Sequence, residues 1–188
     1  QSIDGINAAL AAGITPIIRI GIGNESFGFA DPASYFTFLN TVGSGVSGSF
    51  YAVAGPNEPD AEHWLGDYNI GDEDNPKLSG IGTAGQLLAD YVNYLGNRRF
   101  ELNSKVKLRA PSINITSWSG SYLFSAMLDR GMRLDRLAGI SVTSYNTFDR
   151  PDGRLTSHLN RLIEKVPALG SVPVFITEIG SAEILGGT

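Results

Sequence analysis

The chain has 188 residues, 42% of them hydrophobic and 18% charged, with a formal net charge of -5 and no cysteine. That is a globular chain the size of one domain or part of one. Its scattered basic residues give no footprint for nucleic acid or an anionic membrane surface, and disulfide and thiol chemistry are excluded.

No stretch approaches the eighteen or more consecutive apolar residues that a bilayer span requires. In chain order, "SIDGINAALAAG" sets Ile3, Ile6 and Leu10 at helical spacing, with Ser2 as N-cap and Gly13 as C-cap. "ITPIIRIGIG" (14–23) reads as a buried strand. "DPASYFTFLNTVG" (31–43) is a helix capped by Asp31, with Pro32 at its first position. "SFYAVAG" (49–55) is the next strand, and an irregular stretch at 62–82 follows. A capping-box pattern at Thr83 and Gln86 then opens a helix carrying Leu87, Leu88, Tyr91, Val92 and Leu95. The alternation runs on through strand 106–112, helix 122–131, strand 137–145, helix 155–166 and strand 172–178. Strict alternation of apolar strands with helices predicts an α/β fold with a parallel sheet covered by helices, since parallel strands need crossovers and both faces must be buried.

Polar side chains gather where strands finish: Asn57 and Glu58, Ser112 and Asn114, Tyr145 and Asn146, Thr177 and Glu178. In parallel α/β folds all strand C-termini share one face, and ligands bind there. Two carboxylates at one mouth are what glycoside cleavage requires: a carboxylic acid to protonate the leaving oxygen, and a carboxylate to meet the developing positive charge. Taken singly, each Glu also fits a solvated loop residue. Arg19, inside an apolar strand, needs a carboxylate partner if its guanidinium is buried, and Glu178 or another acid in the mouth is the candidate.

"GPNEP" (55–59) at one strand end and "FITEIGS" (175–181) at another resemble the retaining glycoside hydrolases of clan A. The resemblance implies a (β/α)8 barrel, of which the chain, 1–188, would be a partial catalytic domain holding strands three to seven and lacking one, two and eight. It implies Glu58 as acid/base and Glu178 as nucleophile. Asn57 would then hold a sugar 2-hydroxyl and Tyr145 would contact the nucleophile. The two strands that the family places between its two glutamates match those at 106–112 and 137–145.

Trp118 and Trp64, with Tyr68 and Phe148, lie just past strand ends, where aromatic faces stack on sugars or simply pack; Trp118, Trp64, Asn114 and Arg19 complete the expected substrate-binding set. His63 and His158 are isolated and imply no metal centre. The acidic stretch 67–75 lacks the glycine and bidentate glutamate of an EF-hand loop and reads as solvated. "GIGNESFG" (21–28) lacks phosphate-loop spacing, which ranks a nucleotide binder last. The expectation is an oligo- or polysaccharide hydrolase needing no cofactor, secreted or at the cell surface, with Gln1 in place of an initiator methionine marking a processed or excerpted piece of a longer chain. The alternative is a non-catalytic carbohydrate-binding or structural domain of a surface assembly.

Overall fold

A computed structural model of the chain describes residues 3–19, 31–59, 75–116, 118–145 and 154–180. The first helix, α1 (Ile3–Ala11), buries Ile6 and stops at Gly13, whose φ of +77° is the left-handed conformation that glycine adopts without a Cβ penalty. Strand β1 (Ile17–Ile18) follows, then helix α2 (Pro32–Gly45). As expected, Asp31 caps α2: its Oδ1 accepts from the backbone N–H groups of Ala33 and Ser34 at 3.0 and 3.1 Å. Those bonds, led by the one from the Ser34 hydroxyl, hold the Asp31 carboxyl below its ordinary pKa.

Strand β2 (Phe50–Val53) leads to helix α3 (Leu78–Asn97), which begins five residues before the capping box expected at Thr83. Thr83 lies inside α3, its hydroxyl donating to the carbonyl of Ser79, and Gln86 donates to Asp90 rather than reaching back to a cap. The glycines at 80, 82 and 85 disguise this first turn as loop. Gly85 is there for packing, because a Cβ on it would sit 2.7 Å from the Cβ of Ala126 in the next helix.

Strands β3 (Val106–Arg109) and β4 (Ser112–Asn114) divide what the sequence reads as one strand. Helix α4 (Trp118–Asp129), strand β5 (Ile140–Tyr145), helix α5 (Arg154–Lys165) and strand β6 (Val174–Gly180) complete the order. Gly120 allows α4 to close on β4, since a Cβ there would meet the carbonyl oxygen of Asn114 at 2.2 Å.

Among the described residues every strand pairing is parallel and follows sequence order, as expected of an α/β fold. The (β/α)8 barrel with strands three to seven is not what forms. The described strands make two small three-stranded sheets, β1-β2-β3 and β4-β5-β6, and no closed barrel exists among the described residues. The division falls at Ala110–Pro111, where proline has no N–H to give a ladder. Gly55, with φ +139°, accommodates the same break, because a Cβ there would lie 2.8 Å from Cγ of Pro111. Single backbone bonds connect the two sheets: Ala110 N to Gly139 O, Ala138 N to Leu108 O, and Glu58 N to Ser112 O at 2.8 Å.

The strands segregate their side chains by the two-residue period. Phe50, Ala52, Leu108, Ile113, Ile140 and Val142 join Leu39, Leu88, Leu95, Phe124, Met127 and Leu162 of the helices in one buried cluster. Each large side chain so buried contributes about 1.5–3 kcal/mol. The opposite face carries Tyr51, Arg109, Thr143, Phe175 and Thr177, and it builds the site.

Candidate functional site

Alternation along β6 would send Phe175 and Thr177 to one face and Glu178 to the other. The ladder shows otherwise: Val142 pairs with Ile176, but the next residue, Thr143, pairs with Glu178, so β6 carries an extra residue at that step. Such a bulge places two successive side chains where one would stand. Thr177 and Glu178 consequently both line a cleft of about 290 Å³, together with Ile17, Arg19, Val53 and Ser112 among the described residues.

Each oxygen of Glu178 has its own donor. Arg19 Nη1 donates to Oε1 at 2.5 Å, and the Tyr145 hydroxyl donates to Oε2 at 2.8 Å. Arg19 thus finds the partner expected of it, but it is not buried: the side chains of Arg19 and Glu178 are 46% and 32% exposed. A pair so open to solvent adds at most about 1 kcal/mol to stability, so its consequence is orientation of the carboxylate. The Tyr145 phenol is pushed above its ordinary pKa, first by burial, then by its bond to Glu178 and by the charge and hydrogen bond of Glu58. It therefore remains a proton donor throughout the neutral range.

Glu58 is placed differently. It is only 7% exposed, and its φ of 40° lies in the left-handed region, which a non-glycine residue occupies at a cost of about 1–3 kcal/mol. The strain falls directly before Pro59, in a segment pinned by the parallel bridge between Asn57 and Ser112. The Thr143 hydroxyl donates to Oε1 of Glu58. Thr143 therefore touches one carboxylate and stands opposite the other in the β5–β6 ladder. Glu58 is not one of the described lining residues of the cleft; Thr143 and Tyr145 join it to Glu178.

Beneath the pair, Thr177 donates its one hydroxyl proton to the carbonyl of Val142, so Ser112, 2.5 Å away, must donate to Thr177. Arg109 is fully buried, and its guanidinium lies 3.8 Å from the Phe175 ring centroid and 5.3 Å from that of Tyr51. No hydrogen-bond acceptor reaches it among the described residues, and burial pushes its pKa down to about 10. The two rings supply the cation–π attraction that offsets part of the desolvation.

The remaining expected residues divide. Asn57 is buried beside Glu58. Asn114 spends Oδ1 on the backbone N–H of Thr116 at 2.9 Å, holding the turn after β4. Trp118 starts α4 and packs edge-on against Tyr122 at 5.5 Å. Trp64, His63, Tyr68, Phe148 and the acidic positions 67–74 lie outside the described residues. His158 Nδ1 lies 3.0 Å from the Ser144 hydroxyl. Among the described residues no three His, Cys, Asp or Glu side chains are grouped to hold a metal, and no helix is long and apolar enough to cross a membrane.

Sequence reasoning overlooked Thr143 and Arg109. The signal for Thr143 was present in "ISVTSY" (140–145), whose period puts Ser141, Thr143 and Tyr145 on one face. Comparison of the chain with protein-family models and with curated proteins finds no match.

Proposed function

We propose that the chain is a glycoside hydrolase that cleaves O-glycosidic bonds of an oligo- or polysaccharide with retention, using Glu178 as nucleophile and Glu58 as acid/base. The observation that carries this reading is the unequal treatment of the two carboxylates. Glu178 faces the cleft as an anion held by a cation and a phenol, while Glu58 is sequestered with a hydroxyl on one of its oxygens. Two like groups in unlike settings are what acid/base and nucleophilic roles at one bond demand.

In the first step an oxygen of Glu178 attacks the anomeric carbon as the bond to the leaving oxygen breaks, and Glu58 gives its proton to that oxygen. In the second, Glu58, now a carboxylate, takes a proton from water as the water oxygen attacks the anomeric carbon, and Glu178 departs as the free anion. Arg19 and the Tyr145 hydroxyl stabilise that anion before attack and after release. None of these steps needs a closed barrel; they need the two strand ends, the bulge and Thr143. A secreted or cell-surface location would suit a polymeric sugar substrate.

Proton NMR of the first product tests the reading. The expected result is release of the sugar with the anomeric configuration of the substrate, before mutarotation. Release of the opposite anomer would overturn retention, and binding of oligosaccharides without turnover would favour the carbohydrate-binding alternative.

A further inference from the structure

We infer that Thr143 is a positioning residue for the acid/base step: its hydroxyl bonds Oε1 of Glu58 and holds that carboxyl in one orientation. This inference rests on the glycosidase reading for its functional meaning, although the contact itself does not.

A threonine hydroxyl has a single proton to donate, and that of Thr143 goes to Oε1 of Glu58. The donor is fully buried in the middle of β5, so solvent does not compete for it. Position 143 is also where the β5–β6 register shifts, so one residue both takes part in the bulge that turns Glu178 into the cleft and restrains Glu58. A carboxyl rotating freely presents its proton on either oxygen. One whose Oε1 is tied to a buried hydroxyl keeps a fixed orientation, since that hydroxyl donates to the carboxylate and can accept from the carboxylic acid.

The donor also has a predictable electrostatic effect. A hydrogen bond to the ionised form favours it, so removing the donor makes Glu58 keep its proton to higher pH. Other groups surround the same site: Tyr145 from β5, hydrogen-bonded to both Glu58 and Glu178, Glu178 itself from β6 and Arg19 beyond β1, while Arg109 on β3 lies over the Phe175 and Tyr51 rings. From β4 come only the neutral Ser112 and Asn114. All of these are unchanged by a substitution at 143, so the difference isolates the threonine hydroxyl.

The test compares Thr143→Val, which keeps the shape, with Thr143→Ser, which keeps the donor. Two readouts are taken on the whole chain: the alkaline limb of the kcat/KM profile, and the carboxyl carbon-13 NMR titration of Glu58, which needs no turnover. In Thr143→Val both should move upward by about one pH unit, the order expected for losing a hydrogen bond to a charged acceptor; in Thr143→Ser both should stay. If the valine variant does not fold, as judged by circular dichroism, Thr143→Ala is read the same way. An unmoved Glu58 titration in a folded donor-less variant, or an equal shift in the serine variant, would overturn the inference. A titration that moves in a protein hydrolysing no glycoside would leave the inference standing and remove the glycosidase reading alone.

Discussion

Glu178→Ala should abolish turnover, lowering kcat by about 10^5-fold or more, the order of loss that follows removal of a covalent nucleophile. Without Glu178 the cleft loses its nucleophile, because Glu58, the other carboxylate, is buried and is not among the described residues that line it. The fold should survive, because Glu178 is partly exposed and its ion pair with Arg19 is worth little in that setting. The check is a pair of measurements on one preparation: hydrolysis of an activated aryl glycoside, and the thermal midpoint. Activity within about tenfold of the parent in a folded variant would remove the nucleophile assignment.

Replacing Glu58 by alanine should separate substrates by their leaving groups. The acid contributes most where the departing oxygen is strongly basic, so kcat/KM for an unactivated oligosaccharide should fall by about 10^2 to 10^4-fold. An aryl glycoside with a good leaving group needs little protonation and should lose far less in kcat/KM. Its kcat should still fall, because the second step has lost its base, and azide should restore it by attacking the anomeric carbon of the intermediate directly. A nitroaryl glycoside and its parent oligosaccharide, assayed with and without azide, show this as a split. An equal loss on both substrates would mean that Glu58 does something other than proton transfer, such as holding the strained turn at 57–59 in place.

The parts of the fold legible in the sequence are those set by local chemistry. Asp31 followed by Pro32 announced the start of α2, and Gly13 the end of α1. The apolar runs around Ile17, Phe50 and Ile140 announced strands, and their alternation with helices required the parallel pairing that is seen. What was not legible depends on contacts distant in sequence. The glycines at 80, 82 and 85 read as loop until α4 is seen packing against α3. A single strand over 106–112 gave way at Pro111, and a barrel inferred from counting strands gave way to two short sheets.

The site shows the same division. Glu58, Glu178 and Tyr145 were readable because each follows or ends an apolar run, and Arg19 because it interrupts one; they come together through Thr143 and direct contacts. The bulge beside Thr143 was not readable, because alternation alone sends Glu178 toward the helices. Arg109 and Thr143 were passed over because the sequence puts both inside strands (106–112 and 137–145) rather than at the strand ends where polar residues were sought, although the period of "ISVTSY" sets Thr143 on the face of Tyr145.

The central claim, that Glu178 forms a covalent bond to sugar, is tested most directly by trapping that bond. A 2-deoxy-2-fluoro glycoside with a good leaving group slows the second step, and mass spectrometry of the intact chain followed by peptide mapping locates the added sugar. One fluorosugar per chain is expected, attached to Glu178 in the peptide containing "FITEIGS" and absent from Glu178→Ala. Attachment at Glu58 or at any other residue, or steady turnover of the parent glycoside with no adduct and an inverted product, would contradict it.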